Sequence, residues 1–204
     1  MYAEDFLSED DVLLAARERA AQLGTGAVLP GTGAALGVLA AAAGARAVVE
    51  IGTGTGVASL YLLRGMPDDG VLTTIDAEVE HHRAAKEAFA EAGLRPTRTR
   101  TISGRALDVL PRLTDAAYDL VLLSLTGDMV EAAPEYLAQA VRLLRAGGVL
   151  VIDHALWHDR VADPARRDEA TTAVRELGRA VRSDDRLRPA LLPVGDGLLV
   201  AVRR

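Results

Sequence analysis

The sequence predicts a doubly wound α/β domain, and three observations point there. From residue 47 onward, short continuous apolar runs of strand length alternate with stretches of helical periodicity, the pattern of a parallel sheet covered by helices on both faces. Half of the residues are apolar but only 3% are aromatic, so the core must be built from Ala, Val and Leu, which suits helices packed on a buried sheet. The last two apolar runs, 191–194 and 198–202, flank the glycine turn Gly195-Asp196-Gly197. That is a hairpin signal, and it places an antiparallel final strand in an otherwise parallel sheet. A chain of 204 residues is one domain's worth, and no repeat, linker or low-complexity tail divides it. Residues 1–45 read as N-terminal helices and residues 46–204 as the α/β core.

Taken in order, Ser8 followed by Asp11 resembles a capping box, and Val12, Leu13, Ala16, Ala20 and Leu23 recur at helical spacing before Gly24. The spacing predicts a helix over 8–23. After a turn at 24–31, a second helix runs through Leu36 and Leu39 and ends near Gly44. Its apolar stretch falls short of the roughly 20 residues a membrane span needs, so it reads as a buried helix. Strands are predicted at 47–51, 71–75, 98–102, 120–123 and 149–152. Helices fall between them at about 57–66, 80–92, 105–113 and 130–145, joined by right-handed crossovers. A long helix at about 164–182 precedes the terminal hairpin.

A net charge of −6 and a pI near 5.3 argue against nucleic acid or an anionic membrane as partner, because phosphate binding needs a basic face. A small molecule is the better expectation. Without cysteine there is no disulfide frame, zinc ribbon or thiol nucleophile, which fits the cytoplasm. The acidic start, Glu4, Asp5, Glu9, Asp10 and Asp11, lacks the positive flank and apolar core of a secretory signal.

Chemistry begins at Glu50-Ile51-Gly52-Thr53-Gly54-Thr55-Gly56, where the first strand gives way to a helix. Glycines there let the backbone approach a ligand and present N–H groups at a helix start. A dinucleotide fingerprint from Gly52 would require glycine at 57, and that residue is Val57. What stands instead is E-x-G-x-G-x-G, with Asp76 closing the next strand, where a carboxylate can accept hydrogen bonds from a ribose diol. The plainer alternative is a tight turn and a helix cap. Strand, loop, helix, strand and carboxylate in that order favour a nucleoside-type ligand. Glu50 reads equally well as a ligand contact and as a strand-end carboxylate bound to backbone N–H groups.

At this point the chain resembles the small bacterial and plant O-methyltransferases that include the caffeoyl-CoA and catechol methyltransferases. The resemblance rests on Val28-Leu29-Pro30, the E-I-G-T-G-T-G loop, Thr74-Ile75-Asp76, Ser103-Gly104-Arg105-Ala106, Tyr118-Asp119-Leu120, the run 143–148 and Gly195-Asp196-Gly197-Leu198. It implies S-adenosylmethionine (SAM) as cofactor and a Rossmann-like methyltransferase fold, seven-stranded with the last strand antiparallel and two extra N-terminal helices. By position it implies that Val28 flanks the cofactor, that Gly52 and Thr53 hold its methionine end, with Gly54 of the same loop also a cofactor contact, and that Asp76 takes the ribose hydroxyls. Ala106, after Arg105, would sit against the adenine. The family often has serine two residues after the third glycine; here that residue is Ala58, and the adjacent Ser59 is the substitute candidate. Relatives are often dimers, and a homodimer enters by that analogy alone.

Methyl transfer to a hydroxyl needs in-line alignment and a way to deprotonate the acceptor. Catechol-type relatives use a divalent metal held by an Asp-Ala-Asp run after the fourth strand and Asp-Asn after the fifth. Here those positions read Ser124-Leu125-Thr126 and Asp153-His154. One carboxylate with a hydroxyl and an imidazole suits magnesium poorly, so no tightly bound metal is expected. Asp128 lies close enough in sequence to stand in if the loop shifts, although a solvated helix cap is its simpler reading. His154 offers another route, as a general base oriented by Asp153, with Ser124 on the substrate side. His158 would share a face with His154 only in a helix. The simpler reading of both is a loop histidine bonded to backbone or water. His81 and His82 open a surface helix and are expected to be solvated. The expectation is a SAM-dependent O-methyltransferase for a small hydroxylated acceptor, phenols included, with a degenerate metal site. The alternative is a cofactor-binding or assembly protein without catalysis, and a nicotinamide oxidoreductase fails on the glycine spacing.

Overall fold

The computed structural model describes residue 2 and residues 4–204, apart from the side chain of Asp128. Two helices, α1 (Asp11–Leu23) and α2 (Pro30–Ala42), precede the alternating part. That part runs β1 (Ala47–Ile51), α3 (Val57–Gly65), β2 (Val71–Asp76), α4 (Val79–Glu91), β3 (Thr99–Ser103), α5 (Ala106–Val109), β4 (Tyr118–Ser124), α6 (Gly127–Glu131), α7 (Ala133–Leu143) and β5 (Leu144–Asp153). Helix α8 (Glu169–Ser183) then leads to β6 (Leu187–Leu192) and β7 (Leu198–Arg203).

The strands form one sheet in the order β3-β2-β1-β4-β5-β7-β6, parallel from β3 to β5, with β7 antiparallel between β5 and β6. Side chains alternate across it. Val49, Ile51, Val121, Leu123, Leu150 and Ile152 face a core shared with α7 and α8, while Val48, Leu72, Leu120, Leu122 and Val151 face one shared with α1 to α4. Both faces of the central strands are covered, which is why β1, β4 and the second half of β5 read as largely apolar runs, whereas the edge strand β3 has no buried residue.

The differences from expectation have local causes. Helix α1 starts at Asp11, because Asp10 rather than Ser8 is the cap: its carboxylate accepts from the Leu13 N–H at 3.1 Å. The segment 130–145 divides into α6 and α7, the second opening with a proline in its first turn, Pro134. The long helix begins at Glu169 instead of about 164. Asp168 caps it through the Thr171 N–H, and Arg175 ties the preceding turn down by donating to the carbonyls of Arg160, Val161, Asp163 and Arg166. Strand β6 takes in Pro189, which the sheet edge tolerates, and the connection to β7 spans 193–197. Helices α2 and α3 meet at their backbones, where a Cβ on Gly65 would run into the Gly37 carbonyl oxygen. Among the described residues, no helix is long and apolar enough to cross a membrane.

Candidate active site

The strand order reverses between β1 and β4, and in open α/β sheets ligands bind beyond the carboxyl ends of the strands at such a point. The glycine loop leaves β1 there. Gly52, Gly54 and Gly56 take φ of 92°, 49° and 87°, a left-handed region that favours glycine. Gly52 lies beside the end of β4, where a Cβ on it would stand 3.4 Å from that of Ser124, an ordinary contact, so its positive φ is what calls for glycine.

The loop touches the carboxylate with which the sequence pairs it. The Gly54 N–H donates to Asp76 Oδ2 at 3.0 Å, the Glu78 N–H donates to Oδ1 at 2.9 Å, and His81 Nδ1 lies 3.1 and 3.2 Å from the two oxygens. His82 is buried, with Nε2 3.0 Å from the Asp76 carbonyl oxygen. These two histidines are therefore not simply solvated, because α4 begins at Val79 and its first turn lies against Asp76. Beside them, Gly104 donates to the Asp76 carbonyl at 2.9 Å, so the exposed Arg105 and the buried Ala106 follow next to the same strand end. Val28 is buried in the connection between α1 and α2, and the carbonyl of the nearby Gly26 approaches Gly54.

Glu50 is wholly buried beneath this loop. One oxygen, Oε2, accepts from the Ser59 hydroxyl, while Oε1 has no partner. Burial pushes its carboxyl up to about 7, and the Ser59 and Thr74 hydroxyls only partly offset this. The expected backbone N–H partners are thus replaced by a side chain from α3. Ser59 is itself fully buried with its hydroxyl turned to Glu50, and Thr53 and Thr74 share a 2.7 Å hydrogen bond alongside.

At the ends of β4 and β5, Ser124 and Asp153 are register partners. Asp153 is buried, which raises its carboxyl despite the neighbouring His154. His154 Nε2 lies 3.5 Å from Asp153 Oδ2, beyond a hydrogen bond, whereas its Nδ1 is 3.2 Å from Asp196 Oδ2. The nearer carboxylate is thus Asp196, not the expected Asp153. His154, Trp157, His158 and Asp159 all have left-handed φ, so the segment is not helical and the two histidines share no helix face. They approach each other instead through Asp196, which accepts the His158 N–H at 2.7 Å. Sequence reading takes Asp196 only as a turn residue; the hairpin folding back under residues 154–158 gives it a further place. Among the described residues no three His, Asp or Glu are placed to hold a metal, and the side chain of Asp128 lies outside them. The hydroxyl, imidazole and single buried carboxylate at the two strand ends do not fit a hard cation.

A glycine loop and a strand-end carboxylate at the switch point, with an antiparallel strand added beyond β5, define the class of nucleoside-cofactor α/β folds. Comparison narrows the class. The O-methyltransferase family profile matches residues 7–204, and the chain belongs to that family. It is 55% identical over 202 residues to a putative O-methyltransferase of Mycobacterium ulcerans, covering 99% of this chain and 89% of that protein. A probable O-methyltransferase of Mycobacterium tuberculosis matches with the same identity and coverage. Among solved structures, a Corynebacterium glutamicum protein superposes with a TM-score of 0.90 at 38% identity, covering 99% of this chain and 94% of that one. The Streptomyces achromogenes O-methyltransferase involved in tomaymycin synthesis, solved with SAM, gives 0.85 at 30% identity over 97% of this chain and 91% of that one.

Proposed function

We propose that this chain transfers a methyl group from SAM to a hydroxyl of a small acceptor, phenols included. The observation that carries the reading is Glu50: a fully buried carboxylate with an unpartnered oxygen, beneath a loop whose Gly54 N–H already bonds Asp76. A buried acceptor left unsatisfied costs about 1–3 kcal/mol, so a ligand carrying donors suits the site. SAM carries an ammonium group and two ribose hydroxyls. Glu50, Gly52, Thr53 and Gly54 would hold the methionine end and Asp76 the ribose. Val28 would flank the cofactor, and Ala106 with Arg105 would line the adenine. The solved relative from Streptomyces achromogenes, crystallised with SAM, supports this.

Bound, the sulfonium supplies an electrophilic methyl group whose carbon–sulfur electron pair leaves with sulfur. The chain must align the acceptor and take its proton. His154 is the base of the reading: Nδ1 faces Asp196, which leaves Nε2 toward the β4 and β5 ends, where Ser124 can bond the acceptor oxygen. No step here is assigned to a metal, because the donor set does not fit one. The cysteine-free composition suits work in the cytoplasm.

Calorimetric titration with SAM, S-adenosylhomocysteine (SAH) and NAD tests the pocket. Binding of the two sulfur nucleosides and not NAD is expected. Failure to bind either would overturn the reading.

A further inference from the structure

Resting on the reading of His154 as the base, we propose that Asp196, on the β6–β7 connection, is its positioning residue. Asp196 fixes the ring in the Nδ1–H tautomer and leaves the Nε2 lone pair for the acceptor's proton.

The turn that carries Asp196 is held from both sides. The Ala155 and Leu156 N–H groups donate to the carbonyls of Gly197 and Asp196, each at 2.9 Å, so the turn and the histidine loop form one hydrogen-bonded unit. A Cβ on Gly197 would run into Leu156, and one on Gly195 into the hydroxyl of the buried Thr32 of α2. Both glycines have φ in the left-handed region, 82° at Gly197 and 58° at Gly195, so this close packing is open to glycine and to little else. On the other side, four non-glycine residues of the histidine loop also take left-handed φ, a conformation that persists where the surroundings over-determine it.

Within this unit the two oxygens of Asp196 divide their work. Oδ1 accepts the His158 backbone N–H at 2.7 Å, and Oδ2 faces His154 Nδ1 at 3.2 Å. The Asp196 side chain is only 14% exposed, so its oxygens take their hydrogen bonds from these donors. An ionised carboxylate accepts and cannot donate, hence the hydrogen of a neutral His154 ring belongs on Nδ1. Two other titratable groups face the ring. His158 Nδ1 lies 3.5 Å from the same Oδ2 but its side chain is 73% exposed, and Asp153 Oδ2 lies 3.5 Å from Nε2, outside hydrogen-bond reach. Neither displaces the Asp196 contact.

The division of oxygens gives a selective test. Asp196→Asn keeps the volume and keeps Oδ1 for the His158 N–H, but turns an amide NH2 toward His154 Nδ1. That donor makes Nδ1 an acceptor and moves the ring hydrogen to Nε2, the wrong tautomer for a base there, an effect known from the serine-protease triad. Two-bond 15N–1H correlation spectra of the whole labelled protein at pH 9, where imidazoles are neutral, report the tautomer of each of its four histidines, and a His154→Gln spectrum assigns the ring. The wild-type spectrum is expected to show His154 protonated at Nδ1, and the Asp196→Asn spectrum at Nε2. With SAM and an acceptor, Asp196→Asn should lower kcat by about 1,000-fold or more while KM and SAM affinity stay within about 2-fold. An Nε2–H tautomer in the wild type, which needs no variant to observe, overturns the proposal; so does an Asp196→Asn protein whose tautomer and kcat match the wild type. Full turnover by His154→Gln would instead remove the base reading, leaving the spectrum to judge the Asp196 contact by itself.

Discussion

Replacing Glu50 by glutamine removes a charge that the fold buries completely. Desolvation holds the Glu50 carboxyl at about 7, above an ordinary value near 4.5, against the lowering effect of the Ser59 and Thr74 hydroxyls. Between those two pH values the folded chain keeps a proton that the unfolded chain has released. The stability is therefore fully present below about pH 4.5 and is lost as pH climbs through 7. At about 1.4 kcal/mol for each pH unit between the two values, the loss is about 3 kcal/mol. Glu50→Gln keeps the shape and has no charge to bury, so it should not show this loss. Its amide can still meet the Ser59 and Thr74 hydroxyls. Urea unfolding of both proteins without cofactor, from pH 4 to pH 8, gives the difference directly, since all other groups titrate alike in the pair. The difference should swing by about 3 kcal/mol in favour of the variant across that range, about 6–12 °C in melting temperature for a chain of this size. The gain should come with a loss of SAM affinity, because the Glu50 oxygen left unpartnered in the fold belongs to the group proposed to hold the cofactor's methionine end. Parallel stability profiles would refute the reasoning, since a carboxylate that titrates alike folded and unfolded is not buried as described.

Asp76→Ala should weaken SAM binding by about 1–3 kcal/mol through the loss of charge-assisted ribose bonds, read by calorimetry; unchanged affinity removes that role from Asp76. Gly65→Ala pushes a methyl group into the Gly37 carbonyl, backbone against backbone, and should destabilise the fold by about 1–3 kcal/mol or more in urea unfolding. An unchanged midpoint would mean that α2 and α3 do not cross as closely as described. Turnover should be indifferent to chelator and to added magnesium, because Ser124 and His154 stand where hard oxygen ligands would be needed; a many-fold rise with magnesium would restore the metal route.

The parts of this fold legible in the sequence are those where one signal dominates locally. The central strands β1, β4 and β5 read correctly because both their faces are buried, and the glycine loop because Gly52, Gly54 and Gly56 need left-handed backbone. The start of α8 is less legible, since it depends on Arg175 reaching back to carbonyls of the preceding turn, a tertiary event with no periodic trace. The same holds at the site. Gly54 and Asp76 pair as the motif order implies, whereas the partner of Glu50 comes from α3 and the partner of His154 from a hairpin 42 residues away. His82 shows the limit most plainly: nothing in its spacing says that the first turn of α4 presses it against Asp76.

The central claim is methyl transfer from SAM to oxygen in this pocket, and one measurement tests it most directly. The purified chain is incubated with methyl-labelled SAM and a panel of hydroxylated aromatic and aliphatic acceptors, with chelator present, and the products are resolved. The account predicts label in a methyl ether of at least one acceptor, formed with one equivalent of SAH and abolished in His154→Gln. Tight SAM binding with no labelled ether from any acceptor, with or without magnesium, would contradict it and leave a cofactor-binding protein without catalysis.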